Sequence, residues 1–81
     1  MKVRAEFFSR LREIAGTSAL EIDLSQSASV DDLFIALRGR FPEFARFEQS
    51  VLFGLGVAFV DRRHALREGD VIAIMPPVQG G

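Results

Sequence analysis

An 81-residue chain with ten basic and eleven acidic residues, one histidine and no cysteine has room for one small domain. It has no disulfide framework, thiolate metal site or sulfur nucleophile of its own, so any sulfur it handles comes from outside. Its net charge of −1 gives no general attraction to nucleic acid or anionic lipid, and no stretch nears the roughly 20 apolar residues of a membrane span.

Met1-Lys2-Val3-Arg4-Ala5-Glu6 places charges at alternate positions, where a secretory signal needs an unbroken apolar core. A cytoplasmic location is therefore expected, with no nucleic acid and no membrane as partner. In the same stretch Val3, Ala5 and Phe7 alternate with Lys2, Arg4 and Glu6, the period-two pattern of a half-buried strand. Phe8 extends that strand, predicted over residues 2–8, with an apolar residue on its other face. Ser9 is a candidate cap for a two-turn helix carrying Leu11, Ile14 and Ala15, and Gly16 suits the left-handed position that closes it. Leu20, Ile22 and Leu24 alternate with Glu21 and Asp23 as a second strand, expected to return onto the first.

Ser29 followed by Asp32 resembles a capping box. Beyond it, Val30, Leu33, Phe34, Leu37 and Phe41 form one apolar stripe at helical spacing, so the main helix is predicted over residues 30–40. Pro42 forbids easy continuation. Phe44, Phe47 and Val51 can line a short helical turn over the open side of the core. Phe53 to Val60 reads as one buried strand with a bulge or a close backbone approach at Gly54 or Gly56. Residues 61–64 form a charged turn, and Glu68-Gly69-Asp70 leads into a last strand, Val71 to Met75.

That strand runs into Pro76-Pro77-Val78-Gln79-Gly80-Gly81, and the two prolines can donate no ladder hydrogen bond. The tail must therefore leave the sheet. Six extended residues reach about 20 Å, and two terminal glycines carry no Cβ, so the final carboxylate can enter a channel too narrow for any other residue type. The expected division is a domain over residues 1–75 and a tail over 76–81. A single helix crossing between an N-terminal and a C-terminal strand pair fits an α+β domain, a mixed sheet with the helix on one face. An uninterrupted apolar last strand suits a central place beside strand one and parallel to it. That arrangement is the β-grasp of ubiquitin-like proteins, with its Gly-Gly tail left free.

Few other residues offer chemistry. Gly54-Leu55-Gly56 lacks the third glycine and following helix of a dinucleotide fingerprint. His64 has no nucleophile or metal partner nearby in sequence and reads as a solvated surface residue, while Asp31 and Asp32 suit the first turn of a helix. Arg62 and Arg63 either dock an acidic partner or keep a turn soluble and discourage edge pairing. No intrinsic catalytic residue, metal site or bound cofactor is expected. The chemistry left is that of Gly81: its carboxylate is a poor electrophile until ATP converts it to an acyl adenylate, which a sulfur donor can turn into a thiocarboxylate.

Phe7-Phe8 followed by Leu11-Arg12-Glu13 and Gly16, the turn Leu66-Arg67-Glu68-Gly69-Asp70-Val71, and the ending Pro76-Pro77-Val78-Gln79-Gly80-Gly81 resemble the small, sulfur-carrying subunits of molybdopterin synthase, the MoaD family within the MoaD/ThiS sulfur carriers. The resemblance spans nearly the whole chain. It implies that an E1-like, MoeB-like adenylyltransferase activates Gly81 with ATP. A sulfur donor such as a cysteine desulfurase or rhodanese then makes the thiocarboxylate. A MoaE-like large subunit, in a heterotetramer, accepts the tail and passes sulfur to a cyclic pyranopterin precursor of the molybdopterin dithiolene. By the same resemblance Gly80 threads the partner's channel, Pro76, Pro77 and Val78 line its entrance, Gln79 belongs to the same channel tail, and Met75 and Gly56 belong to the docking surface. Gly56 stands where relatives commonly carry Asn, and Gln79 where a small hydroxyl residue is frequent. A carrier for thiamine or a thiolated nucleoside, a ubiquitin-like modifier joined through Gly81, and an interaction domain with an inert terminus are the other readings.

Overall fold

The computed structural model describes residues 1–77. Strand β1 (Lys2–Phe7), helix α1 (Ser9–Ala15), strand β2 (Ala19–Asp23), helix α2 (Val30–Arg40), a 3-10 helix (Pro42–Phe47), β3 (Leu52–Leu55), β4 (Ala58–Val60) and β5 (Val71–Met75) follow one another. The strands form one mixed sheet in the order β2-β1-β5-β3-β4. β5 is central, parallel to β1 with Ala5 opposite Ile72 and Phe7 opposite Ile74, and antiparallel to β3 with Leu52 opposite Met75. This is the β-grasp arrangement.

The alternation read in β1 places Val3, Ala5 and Phe7 in the core, where they meet Ile72 and Ile74 of β5 and the buried stripe Val30, Leu33, Phe34 and Leu37 of α2. Ser29 caps α2: Asp32 N–H donates to the Ser29 hydroxyl and Ser29 N–H donates to the Asp32 carboxylate. Two orphan amides are thereby satisfied. Phe41 ends the helix and Pro42 starts the 3-10 helix, whose one fully buried side chain, Phe44, lies edge-on to Phe7 at 5.6 Å and stacks near Phe34 at 6.3 Å. Phe34 in turn meets Phe53 edge-on at 5.9 Å. Four aromatic rings thus join sheet, helix and cover, an efficient way to exclude water from a domain this small.

Two expectations are corrected. The run from Phe53 to Val60 is a hairpin, not one bulged strand, because Gly56 takes φ 63° at the first of two turn residues, the conformation that reverses a chain between strands. Val57 disguised the turn, since it is apolar yet fully exposed at the tip. Ser9 is also not a cap. Phe8 remains extended, donating its N–H to the Ile74 carbonyl at 3.2 Å, so the reversal falls on Ser9 at φ 54° and no side-chain cap forms.

Candidate functional site

β5 holds the root of the tail from both sides. Its neighbours β1 and β3 supply hydrogen bonds up to Ile74 and Met75, after which Pro76 and Pro77, half-buried and outside any strand, end the ladder as their missing N–H groups require. The exit is therefore fixed by a central strand rather than by a loop. Val78, Gln79, Gly80 and Gly81, expected to form the entrance lining, the threaded glycine and the modified terminus, lie outside the described residues.

The sheet's outer face, opposite α2, divides in two. Across β1 and β2 it carries Lys2, Arg4, Glu6, Glu21 and Asp23, with Arg4 and Glu6 paired at 3.6 Å. Toward the tail and the outer strand it turns apolar: Phe8 and Leu52 are exposed, and Phe59 keeps 71% of its surface open, while exposed Val71 lies at the far end of β5 opposite Arg4. Gly54 lies between Phe59 of β4 and Ala73 of β5 in register. A Cβ there would meet Met75 Cε at 3.2 Å and the Ala73 Cβ at 3.6 Å, so the missing side chain leaves Met75 space to lie across the strand. Beside it, Leu52, Phe59 and Asp61 border a hollow of about 270 Å³. Exposed apolar area gathered in one place is costly for an isolated domain and marks a contact surface.

The structure brings Met75 together with Pro76, Leu52 and Phe8, but places Gly56 at the other end of β3, where Leu55 pairs with Ile72. Met75 and Gly56 therefore bound the face rather than touch. The sequence reading did not single out Leu52 and Phe59, and it named Gly54 only as a place of bulge or close backbone approach. Their signal was the alternation within each strand, hidden because both faces of β3 are apolar.

Arg62 has a structural role within the domain. Its guanidinium lies 4.8 Å from the Phe34 ring centroid and 5.5 Å from that of Phe53, 2.9 Å from Asp31 Oδ1 and 3.2 Å from Glu48 Oε2, and also donates to the Glu48 carbonyl. It ties the turn after β4 to α2 and to the end of the 3-10 helix. Arg62→Ala is expected to cost about 1–3 kcal/mol, mostly from lost cation–π contact and the carbonyl left without its donor, since the half-exposed ion pairs add little. Urea unfolding measures this, and a loss that vanishes in high salt would show that the ion pairs dominate instead. Arg63 is exposed. His64 is half-buried beside Leu55, Ala65, Arg67 and Asp70, and its backbone carbonyl accepts from Val30 N–H at 2.9 Å. Among the described residues no three His, Asp or Glu side chains are grouped to hold a metal, and no helix is long and apolar enough to cross a membrane.

The ThiS family model matches residues 5–81. The chain belongs to the ThiS family. A curated relative, the molybdopterin synthase sulfur carrier subunit of Chlamydomonas reinhardtii, is 29% identical over the whole of both chains. Small archaeal modifier protein 1 of Haloferax volcanii is 31% identical over 94% of this chain and 97% of its own. The crystal structure of SAMP1 from Haloferax volcanii superposes with a TM-score of 0.88 at 26% identity over both full chains. A complex of subunits 1 and 2 of the molybdopterin-converting factor from Helicobacter pylori contains a chain with a TM-score of 0.71, 23% identical over the full length of both, a likeness that bears on the fold alone. This ThiS-family chain thus has relatives named as a sulfur carrier and as a protein modifier on the same scaffold.

Proposed function

We propose that this ThiS-family protein is the sulfur carrier subunit of a molybdopterin synthase. The observation that carries the reading is a double-proline exit from a rigid central strand, followed in sequence by a Gly-Gly terminus and bordered by an apolar sheet face. A large subunit covers that face and receives the tail. The Gly81 carboxylate attacks the α-phosphate of ATP on an E1-like enzyme and releases pyrophosphate. The persulfide of the donor then displaces AMP to give an acyl disulfide, and a thiol on the activating or donor enzyme cleaves its S–S bond to leave the thiocarboxylate and an enzyme disulfide. After the sulfur has passed to the pterin precursor, water hydrolyses the remaining acyl bond and returns Gly81 to a carboxylate. The cysteine-free chain contributes access and delivery, and its partners contribute the catalytic groups, including any desulfurase or rhodanese that supplies sulfur. The protein acts in the cytoplasm, where ATP and these enzymes meet.

The test is reconstitution with the large subunit, the activating enzyme, ATP, a sulfur source and the pterin precursor. Formation of the dithiolene product supports the reading. A thiocarboxylate that forms but never reaches the pterin points to a carrier for another pathway, and lysine-linked adducts to the modifier reading suggested by the Haloferax volcanii relative. Phe59→Asp is expected to weaken large-subunit binding by about 30-fold or more, the scale of a central aromatic contact, with an unchanged melting temperature because the ring is exposed. Calorimetric titration checks it, and unchanged affinity would place the contact elsewhere on the sheet.

A further inference from the structure

An acyl adenylate at Gly81 reacts with primary amines but not with a guanidinium, which keeps its proton. Lys2 is the one lysine among the ten basic residues, so the domain offers a single side-chain amine to an activated terminus. It stands exposed at the start of β1. Its N–H donates to Glu68 Oε1 at 2.9 Å and its carbonyl accepts from Gly69 N–H at 2.8 Å. The backbone is thereby held, while among the described residues the ammonium has no salt-bridge partner. Beside it lies a hollow of about 200 Å³ that it borders with Glu21, Glu68 and Val71. The Met1 amino group, by contrast, is partly buried and donates to the Leu24 carbonyl at 2.6 Å.

Distance makes the reaction one between chains. β1 and β5 are parallel with Arg4 opposite Val71. Lys2 lies two positions before that pair and Met75 four beyond it, so the amine and the root of the tail are about 20 Å apart along the strands. Closing that gap within one chain would take the whole reach of the tail, about 20 Å, doubled back along its own sheet. A second chain offers its Lys2 without that constraint. We propose that Lys2 is the acceptor for acyl transfer from the activated Gly81 of another copy, joining copies end to end through isopeptide bonds.

The proposal rests on the functional reading above only in requiring that Gly81 be adenylated. Unprotonated Nζ attacks the adenylate carbonyl, the C–N bond forms and the C–O bond to AMP breaks. AMP leaves with the electron pair, and the proton of the amine passes to solvent. Each linkage therefore converts one ATP to AMP and pyrophosphate and joins two chains with the net loss of one water. One acceptor and one terminus per chain make the product unbranched. A sulfur donor consumes the same adenylate, so linkage belongs to conditions in which sulfur is scarce.

The test is incubation of the full chain with the activating enzyme and ATP, without a sulfur source. Intact mass is expected to show species of two or more chains less one water per linkage, and peptide mapping to find the Gly81 end attached to Lys2. Lys2→Arg, which keeps the charge, is expected to lose the linked species while retaining the parent's melting temperature and its ATP–pyrophosphate exchange. Adding the sulfur source is expected to replace linked chains with thiocarboxylate. Pyrophosphate exchange without linkage at Lys2, or linkage that survives Lys2→Arg through the Met1 amine, overturns the proposal and leaves the sulfur-carrier reading standing. Linkage at Lys2 together with a thiocarboxylate that never reaches the pterin removes the molybdopterin reading and leaves the proposal standing. A parent chain that supports no exchange removes both.

Discussion

A chain ending at Gly80 is expected to lose sulfur transfer by 100-fold or more while melting at the temperature of the full protein. The shortened chain still presents a glycine carboxylate, so the loss would come from reach. One extended residue spans about 3.5 Å, and displacement of a reacting group by even about 1 Å can cost 100-fold in rate. The carboxylate stops short of the nucleotide, and no movement of the root compensates, because Met75 is held between β1 and β3. The core ends before Pro76, so stability is untouched. Intact mass after incubation with ATP, the activating enzyme and a sulfur source reads the result directly: the full chain exchanges one oxygen for sulfur and the shortened chain does not. Equal labelling of both would mean that the activating enzyme does not measure the length of the tail, and would remove the channel argument for Gly80 and Gly81.

Phe44→Ala is expected to cost about 3–5 kcal/mol, the scale for deleting a buried aromatic ring. Phe44 is fully buried and is the one residue of the 3-10 helix that reaches the centre of the ring cluster, within 5.3 Å of Phe41 and 5.6 Å of Phe7. Its loss opens a cavity between α2 and the end of β1 that the short cover has few other contacts to close. A domain of 81 residues has about 4–12 kcal/mol of stability in total, so the substitution leaves a marginal fold. Urea unfolding measures the change, and Phe44→Leu, which retains most of the volume, should recover more than half of it. A cost below about 1 kcal/mol would show that the 3-10 helix collapses onto the gap and that the cover is dispensable.

The two predictions differ in what made them visible. Pro76 and Pro77 could be picked out by sequence because they interrupt a ladder wherever they stand, whereas the roles expected of Gly80 and Gly81 rest on what glycine lacks and fall outside the described residues. The stripe of α2, the Ser29–Asp32 capping box and the left-handed Gly16 at φ 74° were equally legible, since each is a local pattern with a local cause. The alternation of β1 likewise identified its buried face, and the continuous apolar run of β5 indicated a strand with neighbours on both sides.

Tertiary structure decided the rest. Arg62 and Arg63 are neighbours of identical chemistry, and only the packing of the turn against Phe34, Asp31 and Glu48 draws one guanidinium inward and leaves the other in solvent. Phe44 and Phe47 look alike in sequence, yet only Phe44 is fully buried. Ser9 has the residue type of a cap, but the bond from Phe8 to Ile74, made across the sheet, moved the reversal onto it. In β3 and β4 apolar residues occupy both faces, so hydrophobicity could not tell a bulged strand from a hairpin or the core from a contact surface. Gly56 at positive φ made the hairpin, and pairing with β5 then set Gly54 beside Ala73 and Met75. Local patterns determined which segments are helix or strand and that the last strand stops at Pro76. Pairing between residues far apart in the chain decided which apolar residues are core and which await a partner, because that depends on what lies across the sheet.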